Sequence, residues 1–593
     1  MHMKKLIRIA ALVLVSFALW FYLKGKKNSS PKVTEKVLYT ANEGHIKTLD
    51  PAHAEDVYSH REIAKIYEGL LDFHYLKRPF ELMPNLAEEM PIVSADRLIY
   101  TFKIRKGVKF HDNPCFPDGK GRELTAYDFV YSLKRLADPK LQAKNFWLID
   151  NKLKGVNEWR ERYADAIQAN FDEEIEGVKA VDLYTLQFTL TKPDPQFLYL
   201  LAMSGCFAIP HEAVEHYGME FTNHPVGTGP FVLEAFNPQD NKLVYYKNPT
   251  FRDKRFPSEA AEEYQHMLAY AGKQLPFVDK LVTYIITESQ PKWLKFKKAD
   301  LDIIDITKDK IASDVVRNNE LISELKEKGI HLFRVAEIST NYIVMNFANP
   351  LFKDNLKLRQ AISLAFDREG YNKLFHNNAA VVAQSTVPPG LAGYRADYIN
   401  PYGTYDVETA KQYLVEAGYP EGKGLPELTL DMGPDSELRL KGEFFQKCMA
   451  RIGIRVKVAG NIFPELIKKL HNKATVLHGI SWSADYPDAQ NFFMLLYGPY
   501  QPSGIGSNFD DPVYNALYEK AVAMPDSPER TKLYEQLNEM IAEKVPFICT
   551  VHFPYTALQH GWIKNYCWSN FHYGTEQYVD IDLEQKRQLV PKL

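Results

Sequence analysis

One short segment of this 593-residue chain combines acidic and aromatic side chains at close spacing. Asp485 and Asp488 stand three positions apart, next to Trp482 and Tyr486. The two carboxylates could form an acid–base pair, or one of them could bind a cationic group. The apolar run 476–480 predicts a strand that ends at this segment, and ligands collect at strand ends in open α/β sheets. Trp482 and Tyr486 would then provide apolar walls for a ligand.

Catalytic motifs are missing from the sequence around these carboxylates and elsewhere. The chain has no Gly-x-Ser-x-Gly, no His-Glu-x-x-His and no Walker motif. The glycine-rich segment 227–231 leads into a predicted strand rather than a helix, which argues against a phosphate-binding loop. We therefore expect a binding protein and not an enzyme. A hydrolase that uses Asp485 and Asp488, and an Asp485 that only caps a turn before Pro487, are the alternatives.

The composition limits the class of protein. A chain of 593 residues with 45% hydrophobic residues predicts about three to four domain-sized folded units. The formal net charge of −3 argues against a nucleic-acid-binding protein, which usually needs a strongly basic face. The five cysteines are scattered without a Cys-x-x-Cys motif, so we expect mostly buried thiols and at most one or two disulfides.

Metal binding is not predicted from the histidines. The chain has 17 of them but no His-x-His; His53 and His60, seven residues apart, could share one helix face. No metal ligand and no cofactor are therefore expected.

The N-terminus has the layout of an export signal. Residues 1–30 contain a basic start, the apolar run 9–23 and a second basic cluster. The aromatic end of the apolar run offers no small-residue cleavage site, and there is no cysteine for a lipid anchor. We predict a signal peptide or an uncleaved signal-anchor, which places the chain in the periplasm or on the outer face of the cytoplasmic membrane.

Strand and helix patterns alternate over much of the chain. Helices are predicted at 126–136, after Thr125 as N-cap, and at 356–366, 407–417, 437–452 and 528–544. Strands are predicted at 98–104, 242–247, 428–432 and 476–481, and 108–111 is expected to pair as a short strand after the turn at Gly107. Residues 254–277 form a polar insertion of helical pattern. The alternation across 287–552 predicts an α/β sheet domain.

Seven sequence blocks stand out in order along the chain. They are Leu49-Asp50-Pro51 with Tyr67-Glu68-Gly69-Leu70-Leu71; Pro84-Asn85-Leu86-Ala87; Tyr100-Thr101-Phe102-Lys103-Ile104-Arg105-Lys106-Gly107-Val108-Lys109-Phe110-His111-Asp112; Leu124-Thr125-Ala126-Tyr127-Asp128; Gly227-Thr228-Gly229-Pro230-Phe231; Met345-Asn346-Phe347 with Arg359-Gln360-Ala361-Ile362; and Trp482-Ser483-Ala484-Asp485-Tyr486 with Asp488. Taken together, the chain after about residue 36 resembles the family 5 extracellular solute-binding proteins of ABC transporters, the peptide, dipeptide, oligopeptide and nickel group.

The resemblance implies an α/β architecture of two lobes joined by crossing strands. This is a type II-like periplasmic-binding-protein fold with an additional small domain inserted in lobe one. We assign residues 36–70, 191–286 and 553–593 to lobe one, 71–190 to the inserted domain and 287–552 to lobe two. A ligand would be enclosed between the lobes by closure of the hinge.

The resemblance also implies roles for individual residues. Asp485 would pair with the α-amino group of a bound peptide, and Ser481 and Ser483 would offer backbone hydrogen bonds to the peptide main chain. The other side of the cleft would be lined by Asp56, Val57 and Tyr58.

The implied function is that of the substrate-binding component of an ABC importer. The protein, expected as a monomer, would capture short peptides and deliver them to permease subunits in the inner membrane. A nickel or other metal chelate, haem or another amine-bearing solute is the alternative ligand, and a sensory or chaperone role without transport is an alternative function.

Overall fold

The structure is a computed structural model. It describes residues 35–593 except 235, 237, 238, 240, 308, 309, 318 and 502–504, and excludes the side chains of 310 and 313. Within these residues, no helix is both long enough and apolar enough to cross a membrane. The predicted export signal at 1–30 lies outside the described residues.

The first half of the chain forms strands and helices with the following bounds. Its strands are β1 (Val37–Asn42), β2 (Leu71–Phe73), β3 (Leu82–Pro84), β4 (Ile92–Val93), β5 (Ile99–Lys103), β6 (Val178–Asp182), β7 (Thr185–Thr189), β8 (Phe231–Leu233), β9 (Lys242–Lys247) and β10 (Lys280–Ile285). Its α-helices are α1 (Val57–Ile66), α2 (Ala126–Ala137), α3 (Val156–Arg162), α4 (Phe197–Leu201) and α5 (His211–Tyr217). Short 3-10 helices cover Pro117–Gly119, Lys144–Leu148, Ser204–Cys206, Gly218–Asn223 and Glu262–Tyr270.

The second half continues the alternation. Its strands are β11 (Ile303–Asp305), β12 (Val316–Arg317), β13 (Glu320–Leu321), β14 (Ile330–Ala336), β15 (Ser339–Met345), β16 (Val381–Val382), β17 (Leu428–Met432), β18 (Val456–Gly460), β19 (Leu477–Ser483), β20 (Phe547–Cys549), β21 (Val551–His552), β22 (Pro554–His560), β23 (Ile563–Lys564) and β24 (Asp580–Ile581). Its α-helices are α6 (Ser289–Lys297), α7 (Lys310–Val315), α8 (Ser323–Glu327), α9 (Pro350–Lys353), α10 (Leu356–Ala365), α11 (Arg368–His376), α12 (Val407–Glu416), α13 (Ser436–Ala450), α14 (Phe463–His471), α15 (Gln490–Phe493), α16 (Pro512–Val522), α17 (Pro528–Lys544) and α18 (Leu583–Leu589). The 3-10 helices are Pro420–Gly422, Met494–Leu496, Gly498–Tyr500, Thr575–Tyr578 and Val590–Lys592.

Two sheets lie side by side in the part that contains both ends of the described chain. One has the order β1-β10-β9-β8, with β1 and β10 parallel, and the other has the order β11-β22-β14. Asp302, fully buried just before β11, connects them, because its backbone amide donates to the Tyr39 carbonyl at 2.9 Å and its carboxylate accepts from the Tyr39 amide at 2.8 Å. The antiparallel sheet β4-β5-β7-β6 belongs to the 71–190 segment and shares one hydrophobic core with this part.

The other large sheet has the order β18-β17-β19-β15-β20 and packs between two further hydrophobic cores. Two chain crossings join it to the sheet β11-β22-β14, one from β14 to β15 and one from β20, through β21, to β22. They run side by side, since the Glu337 amide donates to the Phe553 carbonyl at 3.1 Å. This is the predicted α/β architecture of two lobes connected by crossing strands.

The predicted lobe boundary at residue 287 differs from the strand pairing. β11 and β14 pair with β22, a strand of the C-terminal segment assigned to lobe one. We propose that lobe two comprises about 338–552, because its sheet begins with β15, directly after the first crossing.

Several element predictions are confirmed. Helix α2 follows Thr125, helix α17 and strands β9 and β17 have the predicted bounds, and α10 ends one residue before the predicted end. All five cysteines are free thiols in the structure, so the allowance for one or two disulfides was not needed.

One strand prediction is wrong and one helical pattern has a different form. Residues 108–111 form only an isolated bridge, from Lys109 to Glu123, because the chain leaves Gly107 in a left-handed turn and bonds forward to 122–124 rather than back to β5. In the polar insertion, the helical segment is the 3-10 helix Glu262–Tyr270, which contributes Tyr264 and Met267 to a small core with Cys567 and Tyr578.

Candidate functional site

Strand β19 leads directly into the acidic segment, the residues from Asp485 to Asp488, which lies beside the chain crossings between the lobes. It lies inside the large sheet and pairs with β15 along all seven of its residues, but it pairs with β17 only at Leu477 and His478. In the described part of the chain, residues 479–483 therefore have no strand partner on their second edge. Just past the strand, the Ala484 amide donates to the Ile338 carbonyl at 2.9 Å, which fixes the segment beside the first crossing.

Asp485 is held by one buried asparagine. The Asn491 side-chain amide donates to the Asp485 carboxylate at 3.0 Å, and the Asn491 oxygen accepts from the Asp485 backbone amide at 3.1 Å and from the Trp482 indole at 2.8 Å. Asn491 is fully buried and Asp485 is half-buried. Among the described residues, no Lys, Arg or His forms an ion pair with Asp485. Burial raises the pKa of its carboxyl, and the hydrogen bond from Asn491 opposes that rise.

Asp488 has a different environment, although it is only three residues away. Its carboxylate lies 2.8 Å from the Arg530 guanidinium and accepts hydrogen bonds from the Tyr534 hydroxyl at 2.7 Å and the Gln196 amide at 3.0 Å. It is 7% exposed. The two carboxylates therefore differ in role, because Asp488 is occupied by protein partners and Asp485 is not.

Contacts of this segment reach across to the first lobe. Gln196, the N-cap of α4, is the residue that donates to Asp488, and the Tyr199 ring stacks on the Tyr486 ring with a centroid distance of 6.0 Å. Tyr486 is 6% exposed, and its hydroxyl donates to Gln490 at 2.6 Å. Trp482 is half-buried, while Ser481 and Ser483 are exposed.

The early segment 56–58 begins helix α1. Asp56 is the N-cap, and its carboxylate accepts from the Ser59 amide and hydroxyl, both at 2.9 Å. Val57 is 37% exposed. Tyr58 is half-buried, and its ring packs against Gly44, so closely that a Cβ added to Gly44 would lie only 2.3 Å from the ring. Asp56 therefore has a helix-capping role, whether or not it also faces a ligand.

Tyr573 packs beside the early helix α1. Burial raises the pKa of its hydroxyl; the Arg61 guanidinium opposes the rise, and the Asp485 and Glu337 carboxylates add to it. His60 stacks on the Tyr573 ring at 6.2 Å, and its Nδ1 lies 2.7 Å from the Ser204 hydroxyl. His60 is therefore part of the packing around this tyrosine.

Sequence reasoning missed Asn491, Arg61 and Tyr573. Arg61 had one available signal, since it lies three residues after Tyr58 on a helix and so shares its face. Asn491 and Tyr573 had none, because their contacts depend on how distant segments meet.

The comparison with known families decides the class of protein. Residues 81–504 match the family model described as bacterial extracellular solute-binding proteins, family 5 Middle. The chain belongs to this family.

Curated relatives of this family 5 protein have different named ligands. The dipeptide-binding protein of Escherichia coli K12 is 29% identical over 500 residues, which cover 82% of this chain and 83% of the relative. Heme-binding protein A of Haemophilus influenzae is 27% identical over 540 residues, with 87% of each chain covered.

Solved structures share the fold. The ABC transporter-associated periplasmic binding protein DppA of Helicobacter pylori, in complex with peptide STSA, superposes with a TM-score of 0.69 at 24% identity, covering 92% of this chain and 98% of that one. HbpA2 of Haemophilus parasuis superposes with a TM-score of 0.72 at 24% identity, covering 92% and 100%. The family 5 protein described here therefore has the two-lobed fold that its sequence predicted.

The described residues contain no cluster of side chains that could bind a metal ion. Within that part of the chain, no group of three or more His, Cys, Asp or Glu side chains is arranged to hold a metal ion. His53 and His60, the spaced pair singled out from the sequence, do not form such a group.

Proposed function

We propose that this protein binds short peptides between its two lobes, as the exported binding component of an ABC importer. The observation that carries the proposal is the half-buried Asp485 carboxylate, which lacks a cationic partner among the described residues. An enclosed charge of this kind costs several kcal/mol unless it is paired. The ammonium group of a peptide would supply that partner as a charge-assisted hydrogen bond.

The open edge of β19 supports a peptide in particular. Residues 479–483 have no strand partner on the side of β17, and Ser481 and Ser483 lie there with exposed side chains. An extended peptide could add to this edge by main-chain hydrogen bonds, which provide affinity without reading side chains. The dipeptide and di/tripeptide ligands in the names of curated relatives are consistent with such a mode.

Binding without catalysis is part of the proposal, and the surroundings of Asp488 support it. Asp488, the only carboxylate near enough in sequence to form a pair with Asp485, is fully engaged by Arg530, Tyr534 and Gln196. A bound peptide should therefore be recovered intact, and mass spectrometry of peptide incubated with the protein would detect any cleavage.

The export route is part of the proposal. The basic and apolar layout of residues 1–30 supports secretion to the periplasm or to the outer face of the cytoplasmic membrane, where permease subunits would be the partners. Fractionation of cells that express the full chain, with the mass of the mature protein, tests both the location and the cleavage.

The amine role of Asp485 is tested by replacing the charge and keeping the shape. We expect Asp485→Asn to weaken peptide binding by about 2–5 kcal/mol, because the peptide ammonium would be enclosed without a counter-charge. Calorimetry with di- to pentapeptides measures the change. Asp397→Asn, at an aspartate that is 85% exposed, is the matched control. Equal peptide affinity of the Asp485 variant and the wild type would refute the amine role.

A further inference from the structure

The open edge of β19 fixes the direction of a peptide whose amine pairs with Asp485. Strand β19 runs from Leu477 to Ser483, and Asp485 follows two residues after its end. The first residue of the peptide would therefore lie beside Ser483, and the chain would run back along the strand towards Gly479. Such a peptide is antiparallel to β19 and lies on the side of β17.

The backbone groups that face this edge belong to alternate residues of β19. In an antiparallel pair, the N–H and C=O of one residue point to the same side, and successive residues alternate. The Asn341 carbonyl of β15 accepts from the Thr550 amide at 2.9 Å, so Asn341 faces away from β19. Its neighbour Ser481 therefore turns its own N–H and C=O to the open edge. Ser483, two residues further on, does the same.

The end of β17 closes this edge on one side. β17 is parallel to β19, and its last pair with β19 joins Asp431 to His478. One more residue of β17 follows, Met432, which in the same register stands beside Gly479. The Met432 side chain lies against Gly479 so closely that a Cβ added to this glycine would overlap the sulfur. The line that a peptide would follow beside β19 is therefore occupied from Met432 onwards.

The end of β17 is held in place from its other side. β17 pairs with β18 along all five of its residues, and the Asn461 amide donates to the Met432 carbonyl at 2.8 Å. The chain then enters helix α13, whose N-cap Asp435 accepts from the Leu438 amide at 2.9 Å. Met432 is 7% exposed. A ligand could move this strand end only by breaking the β17–β18 ladder.

The register gives the number of peptide residues that fit. Residues 480–483 of β19 lie between the end of β17 and the end of β19 itself. A peptide extended beside them places its first residue opposite Ser483, its third opposite Ser481 and its fourth opposite Ile480. This length spans roughly 13 Å, at about 3.3 Å per residue. A fifth residue would lie opposite Gly479, where Met432 stands.

We propose that the end of β17 limits the ligand to about four residues, and that a tripeptide is the shortest ligand to use the whole edge. The third residue faces Ser481 and adds two main-chain hydrogen bonds that a dipeptide lacks. The fourth residue adds no bond to β19, and a fifth must leave the line of the sheet. This proposal rests on the proposed function and adds to it the length of the ligand.

A length series on the full-length protein tests the limit. The probes are alanine peptides of two to six residues with free termini, and calorimetry measures their affinity. We expect trialanine to bind about tenfold more tightly than dialanine, the effect of two net hydrogen bonds. Tetraalanine should bind within about threefold of trialanine, and hexaalanine about tenfold or more weakly than tetraalanine.

A disulfide exchange test places the end of the peptide. Pro434→Cys puts an exposed thiol just past the end of β17. The probes are Ala-Ala-Ala-Cys and Ala-Cys, each activated as a mixed disulfide with a small thiol and used at equal occupancy. We expect the longer probe to react about tenfold faster, because binding brings its last residue to this thiol. Asp397→Cys, at an aspartate that is 85% exposed, is the control and should show no preference. Ser436→Cys, at the first residue of α13, replaces Pro434→Cys if melting curves show that the latter is not folded.

The outcomes that overturn the proposal are distinguishable from failure of the proposed function. If hexaalanine binds as tightly as tetraalanine, or if the thiol beside β17 reacts equally with both probes, β17 does not limit the ligand and the proposed peptide function stands. If none of the alanine peptides binds, the peptide function fails and this inference fails with it.

Discussion

Asp485 and Asp488 lie in one short segment, but their surroundings give the two carboxylates different partners. Asp485 keeps an unpaired, half-buried carboxylate beside Asn491, whereas Asp488 is neutralised by Arg530 and bonded to Tyr534 and Gln196. A carboxylate without a counter-charge lowers the stability of the ligand-free protein, and this cost is acceptable where a ligand supplies the missing charge. The missing counter-charge is therefore what supports the proposed binding role of Asp485.

The cost should be visible as a pH-dependent stability. Burial raises the pKa of the Asp485 carboxyl above its ordinary value of 3.8, so the folded protein holds this proton more tightly than the unfolded chain. Ionised Asp485 then lowers the free energy of unfolding at neutral pH, and the penalty fades as the pH falls towards 3.8. We expect ligand-free Asp485→Asn to melt at a higher temperature than the wild type at pH 7, with a smaller difference at pH 4.5. A variant that melts below the wild type at pH 7 would indicate a structural role for the charge.

At the scale of elements, the sequence blocks mostly build the frame around the site. Asp50 of the Leu-Asp-Pro block pairs with Arg135 of α2, and Asp128 caps the same helix by accepting from the Thr125 amide at 2.8 Å. The glycine-rich turn packs against the last turn of α1, where the Gly229 amide donates to the Ile66 carbonyl at 2.7 Å. This turn holds the helix that presents Tyr58 and Arg61.

The glycine-rich turn lies so close to the backbone of helix α1 that a methyl group on Gly227 should lower the stability of the protein. A Cβ on Gly227 would lie 2.0 Å from the Ile66 carbonyl oxygen, which is backbone and can move only with α1. We expect Gly227→Ala to lower the free energy of unfolding by about 1–3 kcal/mol, the usual cost of overpacking. Denaturant unfolding measures it. Gly460→Ala is the control, since its Cβ would make only ordinary contacts of 3.5 Å and longer, and an equal loss in both variants would exclude the steric explanation.

At the scale of the whole molecule, the two lobes already touch beside the site. Gln196 and Tyr199 of the first lobe contact Asp488 and Tyr486 of the second, next to the crossings at 337 and 553. We expect these contacts to loosen when the lobes move apart, in which case they contribute to the equilibrium between open and closed forms. Ligand affinity should depend on them even if the ligand touches none of them.

A charge placed at this contact should shift the equilibrium. Gln196→Glu brings a second carboxylate against Asp488, so we expect a larger radius of gyration in solution scattering and peptide binding weakened by about tenfold at pH 7. Protonation of the new carboxyl restores a hydrogen-bond donor, and the defect should therefore shrink as the pH is lowered towards 4.5. Gln187→Glu in β7, away from the cleft, is the control. Unchanged scattering and unchanged affinity would show that this contact does not govern closure.

The sequence by itself predicted the architecture and singled out one segment of the proposed site. The periodicity of residues 428–432 and 528–544 matched strand β17 and helix α17, because local patterns of burial and capping are written in neighbouring residues. The ordered blocks were sufficient for the two-lobed fold. Asp485 stood out because an acid between aromatics at a strand end is a local signal.

Only the tertiary structure decided which of these groups are paired and what they face. Gln196 meets Asp488 across 292 residues of chain. The same distance explains why the strand predicted at 108–111 is only a bridge and why β11 and β14 pair with β22, more than 200 residues further along the chain. The periodicity of a sequence indicates which residues are buried. It does not indicate which residue each of them contacts, because that depends on how segments distant in sequence pack together.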